Sequence, residues 1–315
     1  MPHPRRFRFA AQLSSAPGGT GRSWAEQARK AEDLGFSTLL MPDHFGDQLA
    51  PVPAMMAAAD ATTRLKVGAL VFDNDYRHPL ILAKEAATVD LLSDGRLELG
   101  LGAGWMRSDY EESGIAYDPP AVRIDRFEEG VAIVTGLLES EGPFSFSGKH
   151  YTVSGHTGTP RPAQRPRPPL IIGGGGRRVL GIAGRRAEIV SINVDLRSGT
   201  AGPEAASNAT PDATRRKIGW VKEAAGERFE EIELNTLIGF VMVTDDRQSV
   251  VDAMAPALGI DPDDALHIPL ALIGTLDQMA EELEWRRREY GISYFSVESD
   301  AWETLAPVVA RLAGT

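Results

Sequence analysis

The chain has 315 residues, and 44 Asp and Glu against 33 Lys and Arg give it a formal net charge of −11. This acidic balance argues against a nucleic-acid partner, which would meet a basic face, and the absence of cysteine excludes disulfides, thiolate metal sites and a cysteine nucleophile. No apolar run approaches the roughly 20 residues of a membrane helix, and the N-terminus lacks the apolar core of a secretory signal, so we expect a cytoplasmic protein without a membrane partner.

Short apolar strands alternate with amphipathic helices along the chain. The predicted strands are 7–13, 37–41, 65–71, 96–101, 169–172, 189–192, 237–243 and 292–297. The predicted helices are 24–34 with Ser23 as its cap, 51–57, 79–92, 123–138, one from about 177, 211–225, 275–290 and 302–312. This alternation predicts an α/β fold with a parallel sheet. The count of eight strands favours a (β/α)8 TIM barrel over an open, doubly wound sheet.

Two segments interrupt the repeat. Residues 142–169 predict a hairpin followed by an irregular stretch rich in Pro and Arg, and residues 196–211 are rich in Ser, Gly, Ala and Thr, which predicts a mobile loop. We expect residues 1–315 to form one barrel domain with these two insertion loops. Excursions of this kind can lie at the catalytic face of a barrel, where long loops act as lids.

Candidate chemistry is sought where the predicted strands end, because barrel enzymes act at that face. Asp43 and His44 follow the second strand, where they can supply a proton-transfer group and its partner; alternatively they form a turn. Asn74 follows the third strand together with Asp73, Asp75 and Arg77. These polar side chains can bind a ring edge, or simply fix the loop.

Two glycine-rich segments follow the next strands. Gly102, Ala103 and Gly104, with Trp105 as a wall, leave room for a flat ligand against the backbone; the alternative is that crowded strand ends need glycine. Gly173, Gly174, Gly175 and Gly176 come directly before Arg177 and a predicted helix. Their N–H groups, the helix N-terminus and an Arg side chain predict a phosphate cup. The sequence contains no motif for a tight metal site.

Three runs of residues resemble the bacterial luciferase-like family, and within it the branch of coenzyme F420-dependent oxidoreductases. They are 74–79, 83–96 and 99–105, and the later segments 272–278 and 286–294 are also similar to that family. The resemblance implies an interrupted (β/α)8 barrel that binds a flavin-type cofactor, F420 or alternatively FMN, in its mouth.

The resemblance also implies roles for residues. The cofactor phosphate would lie at Gly173 to Gly176, and a bulge near Leu70 and Val71, often with a non-proline cis peptide, would lie behind the ring. His44 matches the base of related sugar-phosphate dehydrogenases, with Asp43 orienting it. Those enzymes carry a Glu where this chain has Trp105, which argues against sugar-phosphate oxidation.

The resulting hypothesis is an F420-dependent oxidoreductase that moves a hydride between the deazaflavin and an organic small molecule. The alternatives are an FMN-dependent monooxygenase that uses reduced flavin and O2, and a non-catalytic flavin-binding protein. The polyglutamate tail of F420 needs cations, for which Arg161, Arg165 and Arg167 are candidates; the alternative is that they belong to a solvated loop. The apolar helix 51–57 is a candidate contact of a homodimer, or alternatively part of the core.

Overall fold

The computed structural model describes residues 5–200 and 208–315, so residues 201–207 of the predicted loop 196–211 lie outside the described residues. The strands are β1 (Arg8–Gln12), β2 (Thr38–Met41), β3 (Lys66–Ala69), β4 (Phe72–Asp73), β5 (Leu97–Gly102), β6 (Pro143–Ser147), β7 (Thr152–Thr157), β8 (Leu170–Gly174), β9 (Ile189–Ile192), β10 (Glu233–Ile238), β11 (Phe240–Val243), β12 (Ala271–Gly274) and β13 (Ile292–Glu298). The helices are α1 (Gly21–Asp33), α2 (Pro51–Ala61), α3 (Pro79–Leu92), α4 (Arg107–Ser113), α5 (Pro120–Glu139), α6 (Arg177–Arg186), α7 (Pro211–Ala225), α8 (Arg247–Leu258), α9 (Pro262–Leu266), α10 (Leu276–Tyr290) and α11 (Trp302–Leu312). No helix among the described residues is long and apolar enough to cross a membrane.

Eight parallel strands close into a barrel, which confirms the predicted fold class. Around the barrel the order is β1, β2, β3 with β4, β5, β8, β9, β10 and β13, and β13 pairs again with β1. The third strand is interrupted between Ala69 and Phe72, where the peptide bond between Leu70 and Val71 is cis. The interruption therefore lies where the family resemblance placed it.

The barrel interior carries a charged layer near the amino ends of the strands. Arg8 pairs with Glu98 and Glu233, and Lys66 also reaches Glu98. Burial by itself would raise the pKa of Glu98, but Arg8 and Lys66 hold it below its ordinary value. The interior also holds a cluster of the apolar residues Ala10, Leu40, Ile171 and Ile189 with Tyr294, whose hydroxyl donates to Glu98 at 2.9 Å. The catalytic face thus stands on a filled interior, as barrels require.

Among the predicted boundaries, those of the first helix and of the seventh strand are wrong. The first helix begins at Gly21, and the cap is Thr20 rather than Ser23, because the Thr20 hydroxyl accepts from the Ser23 N–H in a capping box. The predicted seventh strand 237–243 is split at Gly239. Its first part belongs to β10 in the barrel, whereas β11 pairs with β12 outside the barrel and is largely exposed.

The insertion 142–169 contains the predicted hairpin, formed by the antiparallel strands β6 and β7. Its second half brings the chain back to the start of β8. The excursion from β11 to β12, with α8 and α9, packs on Val194 and Ala209 of the segment after β9. The sequence pattern predicted none of α4, α8, α9 or β12.

Candidate active site

His44 lies just beyond the end of β2 and is held by a carboxylate from α4. Its Nδ1 lies 2.6 Å from Oδ2 of Asp109, whose side chain is 5% exposed. The same carboxylate accepts from the Tyr76 hydroxyl at 2.8 Å and from the Phe45 N–H at 3.3 Å. With these donors Asp109 is an acceptor, so in a neutral His44 imidazole Nδ1 donates to Asp109 and Nε2 is the remaining acceptor.

Asp43 does not contact the His44 ring, contrary to the expectation that it orients this histidine. Its carboxylate takes two bonds from the Arg77 guanidinium, at 2.8 and 3.0 Å, and one from the Asp73 N–H at 3.0 Å. Consecutive residues of an extended segment point to opposite sides. The adjacent pair in the sequence is therefore split, and Asp43 fixes the loop after β4.

A buried cluster of acidic and tyrosine side chains supports the loop after β4. The Tyr110 hydroxyl lies 3.2 Å from Asp73 and 3.1 Å from Asp75, and Arg126 holds Asp75 through two bonds of 2.7 Å. Burial, with Asp75 and Asp43 nearby, raises the pKa of Asp73 to about 7. Asp73 and Asp75 are thus more than turn formers, because they anchor the helix that carries Asp109.

Asn74 is directed away from the barrel mouth. Its Nδ2 lies 3.2 Å from the Tyr151 hydroxyl on the hairpin insertion, and its Oδ1 fills the space over Gly130 of α5. The predicted cofactor contact of Asn74 does not follow from this geometry. The side chain joins the loop after β4 to α5 and to the hairpin insertion.

The glycines of β5 serve the bulge in the third strand. A Cβ on Gly100 would overlap the Ala69 carbonyl, and one on Gly102 would overlap the Val71 side chain. Gly104 has φ +72°, and a Cβ there would meet Asp73 and Tyr110. These contacts support the alternative that crowded strand ends need glycine. Ala103 and Trp105 remain partly exposed at the mouth. The Trp105 and His44 rings are nearly perpendicular there, with their centroids 5.6 Å apart.

Gly173 to Gly176 form the end of β8 and the start of α6. No described residue accepts from the N–H of Gly175 or Gly176, and Gly174 and Gly175 have little space for a side chain. A Cβ on Gly174 would lie 2.6 Å from Val179, and one on Gly175 would overlap the Val194 backbone. Uncommitted N–H groups at a helix start are suited to an anion, so a phosphate fits this loop.

The arginine side chains after the glycine loop form ion pairs with outer helices. Arg177 forms an exposed pair with Glu223, and Arg178 pairs with Asp125. Asp195 lies 3.7 Å from a Cβ built on Gly176 and pairs with Arg197, which the sequence analysis did not single out. Arg197 thus offsets the charge of a carboxylate near Gly176. Both residues lie on the segment that continues to Gly199, whose carbonyl accepts from the Arg107 N–H.

Arg161, Arg165 and Arg167 lie at the opposite end of the barrel. Arg167 bonds to Glu188, which precedes β9 and also accepts from the Leu170 N–H at the start of β8. Arg161 donates to backbone carbonyls at the end of α5, and Arg165 to the Pro162 carbonyl. The suggestion that they hold a cofactor tail is wrong, because this part of the insertion returns the chain to the amino ends of the strands.

Polar side chains line the upper interior between β9, β10 and β13, and sequence reasoning missed them. Ser191 donates to Asn235 at 2.7 Å, and Asn235 donates to Ser296 at 3.1 Å. At the ends of β1 and β13, Gln12 donates to Glu298 at 3.0 Å. Gln12 and Glu298 lie at the ends of the first and last predicted strands, so their position at strand ends is the sequence signal that marks them. No sequence signal marked Asp109, which lies on an unpredicted helix.

His78 has a structural role, and the described residues contain no metal centre. His78 caps α3 by accepting from the Leu80 N–H at 3.2 Å, as its place before Pro79 suggested. Within residues 5–200 and 208–315, no group of three or more His, Asp or Glu is arranged to hold a metal ion.

Comparisons with known proteins agree with this geometry. The family described as "Luciferase-like monooxygenase" matches residues 6–290. The chain is 30% identical over 197 residues to an FMNH(2)-dependent dimethylsulfone monooxygenase of Pseudomonas putida, covering 57% of this chain and 54% of that protein. It is 30% identical over 175 residues to an F420-dependent glucose-6-phosphate dehydrogenase of Amycolatopsis mediterranei (strain U-32), covering 53% and 52%. The chain thus spans about half the length of these curated relatives.

Among solved structures, a coenzyme F420-dependent tetrahydromethanopterin reductase from Methanopyrus kandleri shares the fold, with a TM-score of 0.75 at 21% identity and coverage of 98% and 99%. The matched range, residues 6–290, contains the interrupted third strand, His44 and the glycine loop after β8. Relatives named for F420 and for FMNH2 both occur, so a cofactor of the deazaflavin or flavin class is the common property. With the match extending over most of the barrel, the chain belongs to the luciferase-like monooxygenase family.

Proposed function

We propose that this protein is an F420-dependent oxidoreductase that transfers a hydride between the deazaflavin and an organic small molecule. The observation that carries the proposal is the His44–Asp109 pair, a positioned base at the mouth of a luciferase-like barrel. A base fixed beside a cofactor site is what a hydride transfer with an accompanying proton needs. A non-catalytic flavin-binding protein would not require a positioned base.

The residues present fit a cofactor of this class. The uncommitted N–H groups of Gly175 and Gly176 at the start of α6 suit its phosphate, and Arg177, the first residue of α6, directly follows them. Leu70 and Val71 of the bulge, with Ala103 and Trp105 across from them, would bound the ring. When bound, the deazaflavin supplies the carbon that gives or takes the hydride.

His44 performs the proton transfer in this proposal. Its Nε2 accepts the proton of a substrate hydroxyl during oxidation and returns it during reduction. Asp109 holds the ring through Nδ1 and stabilises the imidazolium that forms, while the Tyr76 hydroxyl and the Phe45 N–H keep Asp109 in place. The edge of Trp105 limits rotation of the imidazole and shields it on one side.

A second candidate function is an FMN-dependent monooxygenase, which the similarity to an FMNH(2)-dependent relative favours. The deciding experiment is to titrate purified apoprotein with F420 and with FMN and to compare the affinities. Binding of F420 at least tenfold tighter than FMN is expected. Tighter binding of FMN would replace the first proposal by the second, and binding of neither would contradict both.

The glycine loop provides variants for this titration. Replacing Gly174 and Gly175 by Val would strain the fold as well as the predicted phosphate site, because Gly175 has no room for a Cβ. Gly173 and Gly176 are the better positions, since their Cβ contacts begin at 3.3 and 3.7 Å. Gly173→Val and Gly176→Val should weaken cofactor binding at least tenfold. Gly142→Val, at a glycine with open space around it, is the matched control.

We further propose that residues 1–315 act as one barrel domain and that two copies pair into a homodimer. Support comes from α3, which leaves Ile81, Leu91 and Leu92 from 45% to 63% exposed. Exposed apolar side chains on one element are typical of a contact surface. In α2, by contrast, Ala54 and Met55 are buried within the chain.

A further inference from the structure

Gln12 and Glu298 stand side by side at the mouth of the barrel. They are in register on the neighbouring parallel strands β1 and β13, and each is the last residue of its strand. Two residues earlier on β13, Ser296 contacts Asn235 inside the barrel. Alternation along a strand therefore places Glu298, and Gln12 in register with it, on the inner face at the catalytic end.

Gln12 has an acceptor that the described residues leave unused. The residue is 8% exposed, and its Oε1 is buried without a hydrogen bond from residues 5–200 or 208–315. Buried polar atoms in folded proteins nearly always have a partner. The missing partner is a hydrogen-bond donor, because an amide oxygen can only accept.

Glu298 decides which way the Gln12 amide faces. Its Oε1 accepts from Nε2 of Gln12 at 3.0 Å, so the amide nitrogen turns toward Glu298 and the amide oxygen turns away from it. Burial, with Asp300 nearby, raises the pKa of Glu298, which agrees with a half-buried position among few donors. The pair presents oxygen atoms to a ligand. These atoms favour ligand groups that donate hydrogen bonds over anions and ethers, which can only accept them.

We propose that Gln12 and Glu298 form a binding site for a hydroxyl or N–H group of the small-molecule ligand. Gln12 makes the contact through Oε1, and Glu298 is a positioning residue that fixes the amide. The inference rests on the proposed function, because it gives the substrate of that site a donor group. A site built around a buried acceptor discriminates strongly against analogues that lack the donor, since the acceptor then stays unpaired.

Saturation-transfer NMR tests this site with cyclohexanol and benzyl alcohol and with their methyl ethers as probes. Each probe is measured on the apoprotein and on the protein with F420 or FMN. The wild type should bind at least one alcohol about tenfold more tightly than its ether. Gln12→Leu should lower the affinity for the alcohol to that for the ether, and Gln248→Leu, the same change on the exposed side of α8, should not.

Glu298→Gln keeps the shape of the side chain and tests the positioning role. It should reduce the preference for the alcohol because the Gln12 amide can then turn over, while the affinity for the ether stays within twofold. A purely structural role would change both affinities together. Circular dichroism melting curves confirm that each variant is folded before the affinities are compared.

Equal affinity of alcohol and ether for the wild type would overturn the site, because water would then satisfy the Gln12 acceptor. An alcohol preference that survives Gln12→Leu would overturn it as well. The apoprotein measurement needs no cofactor, so these results are independent of the F420 and FMN titrations. If neither cofactor binds, the proposed function fails, but the alcohol preference still tests the Gln12–Glu298 site.

Discussion

Removing the guanidinium of Arg77 should destabilise the protein strongly, because it leaves the Asp43 carboxylate buried without its charged partner. In Arg77→Ala two charge-assisted bonds of 2.8 and 3.0 Å are lost. Asp43 keeps only the bond from the Asp73 N–H, and its side chain is 4% exposed. Loss of one partner of a buried ion pair typically costs about 3–5 kcal/mol. We expect a decrease of that size in the free energy of unfolding.

Urea unfolding followed by circular dichroism measures this decrease, and two variants serve as controls. Arg311→Ala removes an ion pair with Asp277 whose side chains are 52% and 85% exposed, and it should cost about 0–1 kcal/mol. Arg77→Lys keeps the charge but loses the two-pronged geometry, so its cost should lie between the others.

The double variant Arg77→Ala with Asp43→Asn isolates the interaction between the two side chains. Once Asp43 is neutral, the loss of Arg77 should cost less, by about 1–3 kcal/mol, than it does in the wild type. If Arg77→Ala were no more costly than Arg311→Ala, Asp43 would be supported by other groups. Its assignment as a structural residue would then have to be abandoned.

Three further changes test the His44–Asp109 pair, the burial of Asp73 and the proposed dimer surface on α3. Asp109→Asn should shift the proton of His44 away from Nδ1, seen in the 15N shifts of the imidazole, and lower turnover by about 10²- to 10⁴-fold; an unchanged tautomer would refute the pairing. Because the pKa of Asp73 is raised to about 7, the folded state binds more protons than the unfolded state between about pH 4 and 7. Stability should therefore fall as pH rises through this range, by up to about 1.4 kcal/mol per pH unit, and Asp73→Asn should flatten the slope in pH-dependent urea titrations. Leu92→Glu on α3 should convert a homodimer to monomer in light-scattering measurements; a wild type that is already monomeric would exclude the dimer.

Strand and helix alternation was sufficient to predict the barrel, because each buried strand is a short apolar run and each outer helix has an apolar face. Boundaries were less predictable where tertiary contacts decide them. Gly239 looks like the interior of an apolar strand in the sequence, yet the chain leaves the barrel there and β11 pairs with β12 instead. The partner strand, 271–274, is about 30 residues away, beyond any local pattern.

The sequence predicted that the candidate residues lie at strand ends, but it did not predict which side chains contact each other. Proximity in the sequence suggested that Asp43 serves His44, whereas the fold brings Asp109 to His44 and Arg77 to Asp43. Long-range contacts of this kind depend on where α4 packs. The same limit applies to Arg167, whose charge suggested a ligand although Glu188 holds it at the opposite end of the barrel.

The glycines of β5 show how a local pattern can have a structural cause instead of a ligand. Gly100 and Gly102 face the bulge at Ala69 and Val71, and a side chain on either glycine would overlap it. The overlap at Gly102 is with the Val71 side chain alone, whereas that at Gly100 is with backbone. The two positions should therefore respond differently to a compensating change.

Gly102→Ala should destabilise the protein by about 1–3 kcal/mol through overpacking, because β-branched Val71 has little rotamer freedom with which to move away. Trimming the neighbour in Gly102→Ala with Val71→Ala should recover much of that loss, since the Cγ2 atom that the new methyl meets is then gone. Gly100→Ala should not be rescued by Val71→Ala, because the Ala69 carbonyl remains in place. Urea titrations of the four variants measure these costs. Rescue of both glycine variants, or of neither, would show that the bulge does not dictate the glycines of β5.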